Sequence, residues 1–556
     1  TLKSSSDLSS DADNVDGRGG LVGHLVKGVL RLHGSTNLRE QMITIAYHHV
    51  GQIVGNNDNG LVYALGDGNG LDAEGSGWSL TRYFGTDRGG SDIGNWGAVV
   101  RLGDKLSEGN GGVVTFDQDA HTVQVNNGTG SEINSSNAFA AYALAFDLSK
   151  AYKGSSAALR FSNLVDAAES QTVTLTGDID LTGTGILGIG KDNVEKGTIA
   201  QKFTGTLNGN SHTITLDIGT TYGANVSGEE GDNAAGQLYA KRSDQRDAHY
   251  SLALIPFAGD VTIQNLTIAG TVNGRIPQNV NEEENAGDVR YPAFVSAAIG
   301  LAGGNTDFEN VTVNTKVSVA EEDNAKKLHV WQSGFLGRCE SKALTFRNCN
   351  WGSDSTLIDE RGTDNQRIGG LAAEVMGGCK VTVENCTLSG SITSKAASDA
   401  RVGGLIAVSR GETQSGNNNS YTPADTTIKI SSLQVKEENI DTEAAKETSG
   451  GLLGYQWKNT NVVFAASADN TASEGGVTIS GATLKANAQF GGLVYQATGY
   501  WNATAANSIV FSKDTDNKAN TFIGNSTKDT PSGLLVGTGL IKVTQSGNEV
   551  VESALY

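Results

Sequence analysis

The chain has 556 residues, including 73 Gly, 5 Pro and 6% aromatic residues, and carries a formal net charge of −20. Dispersed acidic charge argues against nucleic acid or an anionic membrane surface as a partner, and no run of about 18 apolar residues is present to span a bilayer. Many Gly with few Pro suits short strands joined by tight turns, because a strand inside a stack cannot spare its N–H.

In chain order, residues 1–125 read as short strands and Gly-rich loops, such as GQIVGNNDNGLVYALGDGNG, and are expected to be closing coils of a preceding unit. No Met opens the chain, and Gly20-Leu21-Val22-Gly23 echoes Leu534-Leu535-Val536-Gly537. Both features suggest a segment of something longer, running from one coil to the matching coil of a next copy. His48 and His49 are strand neighbours that face opposite sides, so they are not expected to chelate a metal as a pair.

Residues 126–168 are expected to be a linker and a helical cap. Ser135-Ser136-Asn137 offers an N-cap, and Phe139, Tyr142, Ala143 and Phe146 follow at helical spacing. SSAALRFSNLVDAA reads as a second helical piece. An amphipathic helix ahead of a run of strands would cover an otherwise unpaired sheet edge.

From 169 to 556 a phrase recurs with variations: VTIQNLTI at 261–268, DFENVTV at 307–313, LTFRNCNW at 344–351 and VTVENCTL at 381–388. Val261, Ile263, Leu266 and Ile268 lie two apart, then three apart across Asn265, then two apart again, which reads as two short strands joined by a bend. Gly-hydrophobic marks such as Gly334-Phe335, Gly370-Leu371, Gly404-Leu405, Gly451-Leu452, Gly492-Leu493 and Gly533-Leu534 punctuate these units. A phrase returning at a loosely fixed period is the signature of a solenoid whose units bury their apolar faces only by stacking. The expected class is therefore all-β, a parallel β-helix with a short α-helical cap near its N-terminal end.

Asn tolerates the left-handed backbone of a bend, and its amide can bond to an equivalent Asn one strand spacing away. Asn265, Asn310, Asn348 and Asn385 are therefore expected to form an internal ladder, with Ser432 and Gly481 holding the equivalent place later. Cys349 and Cys386 occupy the inward slots that Leu266 and Val311 fill, and are expected to be buried thiols. A disulfide between them would have poor torsions, and the spacing of Cys339, Cys349, Cys379 and Cys386 matches no familiar zinc knuckle.

TVTLTGDIDLTG, FTGTLNGNSHTITL and FAGDVTIQNLTIAGTVNG, followed by the GGL-punctuated units, resemble the GLUG-type repeats of right-handed β-helices. Such repeats occur in very large cell-surface and secreted bacterial proteins, including non-catalytic regions resembling those of immunoglobulin A peptidases. The resemblance covers roughly residues 160–545. It implies a right-handed β-helix, an extracellular, surface-attached or secreted location, and a structural or adhesive role as a stalk or ligand-presenting adhesin segment.

Catalytic motifs are missing: there is no HExxH, no GHG, no GxSxG and no P-loop, and Asn305-Thr306-Asp307 stands alone. The expectation is a non-enzymatic protein without cofactor or metal. Its partners would be neighbouring repeats of the same chain and a host or bacterial glycan or glycoprotein, with no nucleic acid and no membrane insertion. Two groups are candidates for ligand contact. Asp244, Asp247 and His249 crowd one loop, where paired carboxylates beside a His could serve a glycan-active lyase or glycosidase. Arg290, Asp364 with Arg367, and Asp399 with Arg401 hold similar pre-strand positions, which instead suits an edge salt-bridge network. Tyr500 and Trp501, in an expected loop GYWNAT, could join Trp331, Trp351 and Trp457 as a platform for sugars, or these aromatics are wedged under inserted loops. A host immunoglobulin- or mucin-binding module is a further alternative.

Overall fold

The structure, a computed structural model, describes most of residues 132–522 with their side chains, and backbone strands alone within 18–131 and 523–553. Residues 1–17, 163–169, 220–249, 277–291, 322–328, 361–365, 396–399, 443–447, 465–475 and 525–535, among others, lie outside the described residues.

The chain is mostly β, and its dominant arrangement is a solenoid-like stack of parallel strands. One coil shows the plan: His329–Ser333, Leu336–Cys339, Ala343–Arg347, Asn350–Trp351 and Thr356–Asp359. The next coil repeats it as Gln366–Gly369, Ala372–Val375, Lys380–Glu384, Cys386–Leu388 and Ser391–Ser394. Each strand pairs in parallel with its equivalent above and below, so the backbone donors and acceptors of one coil are met by its neighbours.

Because register is kept, inward side chains form columns. One runs Ile263, Phe308, Phe346, Val383, Ile430 and Phe464, and another Ile268, Val313, Trp351, Leu388, Val435 and Ile479. All twelve are buried. Phe308 and Phe346 stack at 5.2 Å with planes 2° apart, and Phe335 meets both edge-on. The Gly marks are explained by close approach. Gly334, Gly370 and Gly404 donate their N–H groups to the glycine carbonyl of the next coil at 3.0 to 3.1 Å. A Cβ on Gly370 would lie 2.2 Å from the Gly404 carbonyl oxygen.

The helix Ser136–Tyr152 packs on the first strands of the stack, Phe146 lying 6.0 Å from the Phe203 ring and Tyr142 donating its hydroxyl to Gln171 at 2.9 Å. It is not amphipathic: every residue from Ala138 to Ala143 is buried, because AFAAYALAF is apolar all round. The second helical piece is also corrected. Arg160–Ser162 is a strand in parallel with Thr122–Gln124, the alternation of Arg160, Phe161 and Ser162 suiting an edge strand.

Before residue 131 the strands Gly28–His33, Gly60–Leu65 and Val99–Leu102 pair in parallel in that order. Among the described residues no helix is long and apolar enough to cross a membrane.

Candidate functional site

The four expected bend asparagines share one backbone conformation, with φ of 52° at Asn265, Asn348 and Asn385 and 54° at Asn310. The amides of Asn348, Asn310 and Asn265 connect in series and run on to Asn208: Asn348 Nδ2 donates to Asn310 Oδ1 at 3.0 Å, Asn310 to Asn265 at 3.0 Å, and Asn265 to Asn208 at 3.3 Å. The ladder is external, however, not internal. Asn310, Asn348 and Asn385 are exposed and Asn265 half-buried. The residues flanking each bend, such as Ile263 and Leu266, both turn inward, which leaves the Asn between them on the convex side. Ser432 does hold the place of Asn385, since Leu433 pairs with Cys386, although it opens an extended strand. Gly481 does not: it follows Ser480, the partner of Lys436, and so belongs to the next bend, opposite Glu437.

Asp244, Asp247 and His249 lie outside the described residues. Tyr500 and Trp501 begin the strand Tyr500–Ala503, paired with Asn461 and Val462, so the backbone there is a strand and not a loop. Trp351 is fully buried in the core, which removes it from any surface platform. Its ring fills space left by three glycines: a Cβ on Gly390, Gly370 or Gly334 would come within 2.4, 2.7 or 2.9 Å of it. All four cysteines are buried and free.

A dense polar constellation among the described residues of the stack is one that the sequence reading missed. Glu374, 1% exposed, lies on the strand Ala372–Val375 directly above Arg338. Its Oε2 accepts the indole N–H of Trp331 at 2.6 Å and lies 3.6 Å from Arg338 Nε. Its Oε1 accepts from Arg410 Nε and lies 3.6 Å from Arg367 Nε. Burial pushes this carboxyl up, but the charges of Arg367, Arg410 and Arg338 and the Arg410 hydrogen bond outweigh it and hold Glu374 well below the usual carboxylate range. At the rim, Glu340 pairs with Arg338 at 3.1 Å, and Glu412 approaches Arg410 at 3.9 Å.

Aromatic rings extend the cluster along the stack. Arg367 lies over Trp331 at 4.9 Å, Arg410 over Trp457 at 4.9 Å and Arg401 over Tyr455 at 5.1 Å, with Tyr455 and Trp457 5.5 Å apart. Arg401, Tyr455, Arg410 and Trp457 are half-buried, so part of this stripe reaches solvent. A carboxylate held ionised well below the usual range and engaged by three guanidinium groups suits a counter-ion better than a proton shuttle. Half-exposed rings flanked by guanidinium groups can stack on a flat ligand and donate hydrogen bonds to it. Among the described residues no group of three or more His, Cys, Asp or Glu gathers to hold a metal ion.

Comparison with known proteins returns nothing: no family model, curated protein or solved structure matches this chain.

Proposed function

We propose that this chain is a right-handed parallel β-helix of the GLUG-repeat kind that serves as a non-enzymatic structural and adhesive segment of a very large bacterial surface or secreted protein. The observation that supports this reading is the coil-to-coil parallel pairing of the described strands between Ile255 and Gly524. Each coil spends its interior on packing against the next, which suits reach and display. The stripe of Arg401, Tyr455, Arg410 and Trp457 is the proposed ligand-presenting surface, and a glycan or glycoprotein is the proposed partner.

The test is turnover and binding by the purified chain on plant, mucin and bacterial polysaccharides. The proposal expects no cleavage, and binding that survives Asp244→Ala with Asp247→Ala. Cleavage abolished by that double substitution would establish a glycan-active enzyme instead. Selective capture of immunoglobulin or mucin would favour the alternative of a host immunoglobulin- or mucin-binding module.

A further inference from the structure

Two pairs of cysteines stack in successive coils, and the fold treats them differently. Cys349 and Cys386 are direct register neighbours, since Asn350 pairs with Thr387. Each turns its thiol to a backbone carbonyl, Cys349 to Phe308 and Cys386 to Phe346, both at 3.4 Å. Side chains projecting side by side from parallel strands give a disulfide poor torsions.

Cys339 and Cys379 meet on a diagonal instead. Cys339 ends the strand Leu336–Cys339 and pairs with Val375, whereas Cys379 immediately precedes Lys380, the partner of Ala343. The pair therefore spans the corner between the second and third strands of two coils, and the Sγ atoms lie 3.8 Å apart. A disulfide brings its sulfurs to about 2.05 Å, a closure within reach of side-chain rotation and a small backbone adjustment. Cys339 sits in the ladder, but the approach to Cys379 is a turn: Gly377 and Gly378 precede it, Gly378 with a φ of 84°. Ser341 Oγ lies 3.0 Å from Cys339 Sγ.

We propose that Cys339 and Cys379 form a disulfide linking consecutive coils when the chain folds in oxidising surroundings, while Cys349 and Cys386 remain thiols. With a small-molecule disulfide as oxidant, one cysteine loses its proton, attacks the oxidant and releases one small thiol. The second cysteine, also deprotonated, then attacks the protein sulfur of that mixed disulfide and releases the other small thiol. One S–S bond breaks and one forms, and two protons and two electrons leave on the two small thiols.

The proposal goes beyond the structural role above and shares with it only the oxidising exterior, so its chemistry is testable whatever the location of the protein proves to be. The full chain is unfolded, refolded in a mixture of oxidised and reduced glutathione, then denatured, alkylated and analysed by mass spectrometry. Two alkylated thiols are expected instead of four, with the Cys339 and Cys379 peptides joined and Cys349 and Cys386 both alkylated. The linked protein should also melt several degrees above the reduced one, and Cys339→Ser should give three free thiols and no link. If that variant misfolds, thiol counting on the unmodified chain still decides. Four free thiols after refolding, or a link between Cys349 and Cys386, would overturn the proposal.

Discussion

Trp331 donates its indole N–H to Glu374 at 2.6 Å across 43 residues of sequence, and so fixes the carboxylate around which three arginines gather. Three cations share one buried anion, so the anion is the member the cluster can least lose. Glu374→Gln leaves Arg338, Arg367 and Arg410 without their shared counter-charge and should cost about 3–5 kcal/mol. Trp331→Phe removes one charge-assisted hydrogen bond and should cost about 1–3 kcal/mol. Urea unfolding of both variants checks the order.

A second buried carboxyl behaves oppositely. Glu438, 2% exposed with Oε1 lacking a hydrogen-bond partner, is pushed up to about 8 by burial. A raised folded value means that its contribution to stability is complete below the ordinary value of 4.5 and is lost as pH rises through about 8. Glu374, held low, contributes stability above 4.5 that is lost as pH falls through its folded value. Melting temperatures of Glu438→Gln should therefore fall less than those of the parent between pH 5 and 9. Glu374→Gln should lose the acid-side dependence below about pH 4. Parallel pH profiles for parent and variants would contradict both assignments.

Separating the ladder from its bend needs two substitutions at Asn348. Glycine keeps the left-handed backbone and removes only the side-chain hydrogen bonds, and exposed bonds of this kind contribute about 0.5–1 kcal/mol. Alanine also pays the left-handed strain, about 1–2 kcal/mol more. Equal losses for Asn348→Gly and Asn348→Ala in chemical denaturation would mean that backbone conformation is not what selects Asn there.

Trp351 provides a packing test. Gly390→Ala would place a Cβ 2.4 Å from Trp351 Cε2 and should destabilise by about 1–3 kcal/mol through overpacking. Adding Trp351→Leu should recover part of that loss, and a double-mutant cycle measures the coupling. Additive losses would place the two residues out of contact.

The bend was legible because Asn265, Asn310, Asn348 and Asn385 each sit between apolar positions spaced three apart, a gap that two strands meeting at a left-handed residue explain. Which side the ladder faces was not, since the same spacing suits a concave or a convex corner. The Glu374 cluster was hidden by sequence distance, its members drawn from three successive units. A signal existed in the register: counting three residues on from Phe335, Leu371, Leu405 and Leu452 puts Arg338, Glu374, Val408 and Tyr455 in one column. Counting three residues back from Gly334, Gly370 and Gly404 gives Trp331, Arg367 and Arg401 in another. Aligning the units on their Gly marks would have exposed the opposed charges. Arg160–Ser162 was misread because a short Ala- and Leu-rich stretch carries helical propensity that pairing with Thr122–Gln124 overrides.

The central claim is a single-axis stack of parallel coils, and spin-label distances test it most directly. Thr262, Thr345, Lys429 and Val463 occupy one column of half-buried outward positions. Labels paired with Thr262 should separate by about 4.8 Å for each coil crossed, reaching roughly 10 Å at Thr345, 19 Å at Lys429 and 24 Å at Val463. A Val463 label no farther from Thr262 than the Thr345 label would contradict the stacked coil order on which the whole account rests.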